Sequence, residues 1–393
     1  MGERILLFES RDLCYESNHY FMEQLEQEFQ NVGYETEICD LSVHAEEKLE
    51  EILNRRQEFS AALDFNSRLT RAELEDGTPY IDALGIPFFN YLVDHPLYHH
   101  GGLKREFQKY SVICIDECHR EYIKKYYPHI KQVFLVPLGA MRAGRERTWE
   151  EKRFEVLFLG TYVPVEDIYG EIMEYPPDRK KEAITLIQWM EAEPELNQED
   201  ALARYLLKTG EELTKKEFAK RLHSDYIVDR YLRFSKRKNI LLAAVKSGIP
   251  LTVMGHGLEE IPGLYQRNVN FYPGVGFAVS AQMIADAKIL LNITPGFYGG
   301  VHDRVYSARI NRTLCLTEKN RYTINHFEDG QELVLYDEKK PEEIFEQIGQ
   351  FLEDQDALEK ITEKAYKKAV LKETWQCRGE EIAACFQKCC GIF

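Results

Sequence analysis

No run in this 393-residue chain approaches the ~18–20 consecutive apolar residues needed to cross a bilayer. The N-terminus enters a strand pattern almost at once, at Arg4–Glu9, with neither the apolar core nor the cleavage site of a secretory signal. Positive charge is scarce: 50 Lys and Arg face 66 Asp and Glu, a formal net charge of −16. That balance argues against a basic nucleic-acid groove and against tight binding to an anionic membrane. An anionic ligand must then be held by local features, helix N-termini and single arginines, rather than by a global field. The nine cysteines have no metal-type spacing, and the group Cys385, Cys389 and Cys390 has no histidine near it in sequence. Free thiols in a cytoplasmic protein are the expectation.

What is present reads as globular. Hydrophobic residues make up 44% and charged ones 30%, as in soluble globular proteins. The length suits two domains, since one core seldom grows past ~250–300 residues. No internal repeat or low-complexity tract interrupts it. Ile5–Glu9 predicts a strand, and Ser17–Val32 a helix with Phe21, Leu25 and Phe29 on one face, stopped by Gly33. Glu35–Cys39, Ala61–Phe65, Phe88–Val93, Val112–Ile115 and Val133–Val136 continue the strand series between helical segments. Such alternation predicts a parallel α/β sheet covered on both faces.

The charged segment 141–153 predicts a linker between one domain at 1–140 and another at 154–373. The second opens on the strand Phe154–Leu159, carries a strandless helical insertion at about 167–225, and resumes with a helix at Tyr226–Ser247. Pro250–Met254, Val269–Phe271, Ile289–Ile293, Leu314–Thr317 and Leu333–Tyr336 complete a second sheet. The tail from Pro341 is helical, and residues 374–393 are expected to pack back on the first domain. Two such sheets predict a cleft at the carboxyl ends of their strands, where ligands bind in folds of this kind.

The stretch Lys288–Asp337 is the most informative. The apolar run Ile289–Ile293 leads into a loop with Gly296, Gly299 and Gly300, then a helical segment His302–Asn311 and the next strand. Strand, glycine loop, helix and strand form the βαβ unit of a nucleotide-binding sheet. N–H groups at such a helix start favour phosphate, so a nucleotide-linked substrate is the first expectation. Gly299 and Gly300 permit positive φ or close backbone approach to a ligand, or simply an ordinary turn. His302, Asp303 and Arg304 read as a capping cluster or as ligand contacts; Arg304 suits a bidentate clamp on diphosphate oxygens. Thr294-Pro295 ends the strand, and Thr294 has a hydroxyl to donate. Gly160-Thr161 and Gly255-His256-Gly257 follow two other strands of the same sheet, as turns or as ligand approaches.

In the first half, Asp94-His95-Pro96-Leu97-Tyr98-His99-His100 follows a buried strand. A histidine near neutral pKa suits a general base on an acceptor hydroxyl. Asp94 and His95 sit closest to the strand end and are the preferred catalytic pair, with structural histidines the other reading. No acidic or cysteine spacing supports a metal at His95, His99 and His100. Ser10, Arg11 and Asp12, after the first strand, face the same cleft if the sheet is parallel; Asn66 ends the third strand. His119 reads as a surface residue, and Tyr122–Tyr127 as helix packing.

These residues carry a resemblance. LLNITPGFYGGVHDRVYSARINRTLCLTE, followed by FEDGQELVLYD, resembles the C-terminal domain of the spore-maturation-type (CgeB-like) glycosyltransferases, a bacterial group within the GT-B enzymes. It extends to VDRYLRFSKRKNILLAAVKSGIPLTVMGHGLE, VLFLGTY and TWQCR, and more weakly to NYLVDHPLYHH and CIDECHREYIKKYYP, covering most of the chain outside the helical insertion. It implies a GT-B fold of two Rossmann-like domains, no obligatory metal, and no cofactor beyond a nucleoside-diphosphate sugar as co-substrate. The donor would sit on Gly160, Thr161, Gly255, His256, Gly257, Thr294, Pro295, Gly299, Gly300, His302, Asp303, Arg304 and Ser307. The acceptor, a glycan, protein or small molecule, would meet Ser10, Arg11, Asp12, Asn66 and His99. One departure stands out. Ser307 occupies the position of a glutamate that holds the donor ribose in many relatives, Gly299 that of a further carboxylate, and Arg312 that of a small glycine.

The expectation is a metal-independent, retaining glycosyltransferase. The alternatives are a sugar-nucleotide epimerase or hydrolase of the same fold, and a non-catalytic nucleotide-sugar-binding or partner protein. Oligomers are compatible with either.

Overall fold

The computed structural model describes residues 3–9, 17–294 and 296–390. Ser10, Arg11, Asp12 and Pro295 lie outside the described residues. The chain forms two compact units: Met1–Gly139 with Gly276–Ala278 and Leu371–Phe393, and Ala140–Val275 with Val279–Val370. Among the described residues no helix is long and apolar enough to cross a membrane.

The first unit is built on six parallel strands, β1 (Arg4–Glu9), β2 (Glu35–Asp40), β3 (Ala61–Phe65), β4 (Phe88–Leu92), β5 (Tyr110–Cys114) and β6 (Gln132–Leu135). Their order is β2-β1-β3-β4-β5-β6, so the direction of winding reverses between β1 and β3, where an open α/β sheet leaves a crevice. The central strands β3, β4 and β5 are buried at every position, which explains why they are mostly apolar; Asp64, Asn90 and Ser111 are the buried polar residues among them. The helix Ser17–Asn31 buries Phe21, Met22, Leu25 and Phe29, the face predicted by the i, i+4 spacing. The final helix, Trp375–Cys390, packs in the same unit: the Phe386 ring lies 5.3 Å from Phe29 and 4.7 Å from Phe89. Gly379 makes that possible, because a Cβ there would come within 2.5 Å of the Glu28 Cβ.

The second unit repeats the plan with β7 (Phe154–Leu159), β8 (Leu251–Met254), β9 (Val269–Tyr272), β10 (Ala287–Leu291), β11 (Leu314–Glu318) and β12 (Val334–Tyr336). The order β12-β11-β10-β7-β8-β9, all parallel, puts the reversal between β7 and β10. The strandless insertion folds as Val165–Met173, Pro177–Ala192, Gln198–Thr209 and Lys215–Ser224. Its helices are tied by buried Glu182, whose two oxygens accept from Arg221 at 2.8 and 2.7 Å; Arg179 reaches both Glu182 and Asp225. The segment 141–153 is not a free tether. Met141 and Ala143 accept and donate hydrogen bonds with Asn311 (2.7 and 2.9 Å), and the buried Lys152 ammonium donates to the carbonyls of Ala285 and Ala287. These bonds hold it against the second unit.

Candidate functional site

The carboxyl ends of β7, β8, β10 and β11 bring most of the predicted donor residues together in the second unit. Gly160-Thr161 continues β7, and Gly255-His256-Gly257 continues β8 beside it. The Gly160 N–H donates to Met254 O (3.0 Å) and the Tyr162 N–H to His256 O (2.9 Å). A Cβ on Gly255 (φ 149°) would lie 1.6 Å from Gly160 O, and one on Gly257 (φ 74°) 2.2 Å from Tyr162 O. These glycines read in sequence either as turns or as ligand approaches. Their first role is closing one loop on the other, because no side chain fits between the two backbones.

From β10 the chain enters the glycine loop. Gly296 takes the positive φ (75°) and lies against Asp229, with Oδ1 3.2 Å from where its Cβ would be. Gly299 and Gly300 are buried, and Asn320 holds the loop by donating to Phe297 O (3.0 Å) and Gly300 O (2.9 Å). His302 caps the helix Asp303–Ile310, its Nδ1 accepting from the Arg304 N–H (3.4 Å) and Nε–H (3.0 Å). Burial, then Arg304, pull His302 below the usual imidazole range, which favours the neutral ring this cap needs. Asp303 also falls below its usual range. Burial alone would raise it, but His302 and Arg304 outweigh that; its Oδ2 is buried with no hydrogen-bond partner among the described residues. Arg304 reaches across the reversal point to the Leu159 carbonyl at the end of β7, so the expected clamp is already anchored to protein on one side.

Two predicted donor contacts are corrected. Ser307 is fully buried, and its hydroxyl accepts from the Met141 N–H (2.9 Å) while donating to Asp303 O (2.9 Å). It braces the helix and has no face left for a ribose. Thr294 is buried too, and its hydroxyl donates to Glu318 Oε2 (2.6 Å) rather than outward. Arg312, in the place of the expected glycine, does take the left-handed conformation that glycine favours there (φ 50°).

The sequence reading missed the cations. On the helix Tyr226–Ser247, Asp229, Arg233, Lys236 and Arg237 follow i, i+4, i+7, i+8 spacing and so share one face. Arg233 donates to Asp229 Oδ2 (2.8 Å), Lys236 pairs with Glu338, and Arg237 donates to the Thr161 carbonyl. Burial would lower the Lys236 pKa, but Glu338 and Glu318 raise it above the usual range. The charged stripe was the signal; it is legible as a site only once the strand ends beside it are known.

In the first unit, Asn66 adopts a left-handed φ (47°) and bridges β3 to the loop after β4: its amide donates to Asp94 Oδ2 (2.8 Å) and its carbonyl accepts from the Val93 N–H (3.0 Å). Asp94 is therefore paired with Asn66, and among the described residues it makes no bond to His95. His95 caps the next turn, Nδ1 accepting from the Leu97 N–H (3.1 Å), and its ring packs edge-on at 4.6 Å from His119. Both predicted catalytic residues thus lie at the end of β4, each with its own partner. His119, predicted at the surface, is 1% exposed, and burial followed by nearby His99 pushes it down to about 3. His99 instead joins Asn66 in a pocket of about 190 Å³ that also exposes Arg68, Arg71 and Tyr98.

Comparisons with known proteins agree with this geometry. Residues 236–384 match the family model described as glycosyl transferase-like. No curated protein matches the chain by sequence. In fold it is similar to Anabaena HepE solved with UDP and glucose (9% identity, covering 98% of this chain and 100% of that one, TM-score 0.59). It is likewise similar to a sucrose-phosphate synthase from Thermosynechococcus elongatus (9%, 98% and 98%, 0.57) and to an α-glucosyltransferase solved with UDP (11%, 98% and 100%, 0.60). The chain has the two-sheet GT-B fold of glycosyltransferases, with a glycosyltransferase-like domain over its C-terminal part.

Proposed function

We propose that this protein is a glycosyltransferase of the CgeB-like type that takes a sugar from a UDP-sugar and passes it to an acceptor hydroxyl or similar nucleophile. One observation carries the reading: the family match begins at Lys236 and covers Arg237, the glycine loop, the His302-capped helix and Glu318. The donor diphosphate would lie against the helix start and the cations of the Tyr226–Ser247 helix, which stabilise the charge that grows as the glycosidic bond breaks. Arg304 would hold the phosphate side and His256 the exposed edge of the nucleotide. UDP is favoured because two of the similar structures were solved with it. Metal independence, retention of configuration and a cytoplasmic location belong to the same proposal. In the first unit, Asp94 or His95 would activate the acceptor. Calorimetry against UDP, GDP, dTDP and CDP tests the donor half; binding of none of them sinks it. Product analysis with and without acceptor then separates a transferase from an epimerase or hydrolase, which would turn over without one.

The buried Ser307 favours a second reading, a nucleotide-sugar-binding protein without turnover. Tight UDP-sugar binding with no product across a broad acceptor panel would select it.

A further inference from the structure

The pocket in the first unit has a built, basic character that the donor chemistry does not use. It opens beside the carboxyl ends of β3 and β4, lined by Asn66, Ser67, Arg68, Arg71, Tyr98 and His99 among others. Its floor is already organised. Asn90 accepts from the Ser67 N–H (2.9 Å) and donates to the Tyr110 hydroxyl (2.8 Å), while the Thr70 hydroxyl donates to Ser67 O (2.8 Å). Polar groups tied down in this way lose little entropy when a ligand arrives.

The rim supplies the charge. Arg4, Arg55, Arg105 and Arg120 of this unit are each paired with a glutamate. Arg71 has no ion-pair partner among the described residues, and its guanidinium lies flat on Gly101: a Cβ there would sit 3.2 Å from Nη2. The next glycine is needed as well, since a Cβ on Gly102 would fall 2.3 Å from Thr70 Oγ1. The Gly101-Gly102 pair thus brings the His100–Leu103 turn close enough to seat Arg71 at the mouth. In a chain of net charge −16, an unpaired guanidinium beside a preformed polar pocket marks a place for a negative group. At about 190 Å³ the pocket is smaller than the ~300–1,000 Å³ of whole-ligand sites, so it suits one substituent of a larger molecule.

We propose that this pocket captures an anionic group, a phosphate or a carboxylate, on the acceptor, with Arg71 as its clamp and Arg68, His99 and the Ser67 turn completing the site. Only the word acceptor rests on the glycosyltransferase reading; capture of the anion does not. The test is titration calorimetry of the wild type and Arg71→Ala with glucose 6-phosphate, glucuronate, glucose and, separately, UDP. At least one charged sugar should bind about tenfold or more tightly than glucose, and Arg71→Ala should lose that preference while binding UDP unchanged. The tighter of the two charged sugars identifies the group. Arg71→Lys, which keeps the charge and loses the planar fork, should recover part of it. Equal binding of all three sugars, or unchanged binding of the charged ones by Arg71→Ala, overturns the pocket. Failure of UDP alone removes the transferase reading and leaves the anion site standing.

Discussion

Thr294 and Glu318 are joined twice: the Thr294 N–H donates to Oε1 and its hydroxyl to Oε2, each at 2.6 Å. The pair ties the chain leaving β10 to the end of β11, and Thr317 adds a third, longer bond at 3.3 Å. Glu318 is 6% exposed, so its carboxyl oxygens depend on these donors for their hydrogen bonds. Glu318→Gln turns one accepting oxygen into a donor facing another donor. It should lower stability by about 1.5–3 kcal/mol, with Thr294→Val costing a similar amount. Urea denaturation of both single variants and the double variant checks this; strict additivity would mean the two residues do not act on each other.

Arg233 carries a functional prediction. It faces the glycine loop through Asp229, which lies against Gly296. Arg233→Ala should weaken UDP binding by about 1.5–3 kcal/mol in a folded variant, read by calorimetry. Arg304→Ala should cost stability as well as binding, because it also loses the Leu159 carbonyl and the His302 ring. Unchanged UDP affinity in either folded variant takes that residue out of the site.

Arg312 holds a left-handed φ of 50° and is compensated by its side chain. It bonds Glu363 (2.8 Å) and Glu146 (3.2 Å) and stacks 3.5 Å above the Tyr366 ring. Arg312→Ala keeps the strained backbone and loses these contacts, so it should cost about 1–2 kcal/mol. Arg312→Gly loses the same contacts but relieves roughly 1 kcal/mol of strain. The glycine variant should therefore melt above the alanine variant; the reverse order would mean the backbone there is not strained.

Asp64 predicts a pH dependence. Burial, opposed by the Ser67 side chain and the Phe65 N–H, raises its pKa from 3.8 to about 7. An unfolded chain ionises it near the usual value, so between the two the folded protein holds the extra proton. Its contribution to stability is full below the unfolded value, falls as pH rises towards 7, and is flat above. The fall is on the order of 4 kcal/mol. Asp64→Asn should remove it, seen as a shallower decline in unfolding free energy between pH 4.5 and 7.5. Parallel curves for the two proteins would put the ionisation elsewhere.

The sequence by itself determined the alternation of strands and helices. Runs such as Ala61–Phe65 and Phe154–Leu159 are buried at all positions or all but one, and a parallel strand covered on both faces must be mostly apolar. Helix faces such as Phe21, Leu25 and Phe29 follow from the 3.6-residue period, a local property. Where an element ended, the reading was off by a residue or two, because terminal turns depend on neighbours.

Only the tertiary structure decided what the polar residues do. Gly255 and Gly257 look like ligand glycines until Gly160 and Tyr162 are set against them. Ser307 looks like a lost ribose contact until the Met141 N–H, 166 positions away, takes its hydroxyl. Asp94 looks like a lone carboxylate at a strand end until Asn66, at the end of β3, donates to it. Arg233, Lys236 and Arg237 are ordinary charges on a long helix until the ends of β7 and β10 come beside them. In each case the partner is distant in the chain, and hydrogen bonds and ion pairs, unlike apolar periodicity, leave no repeating trace in the sequence between them.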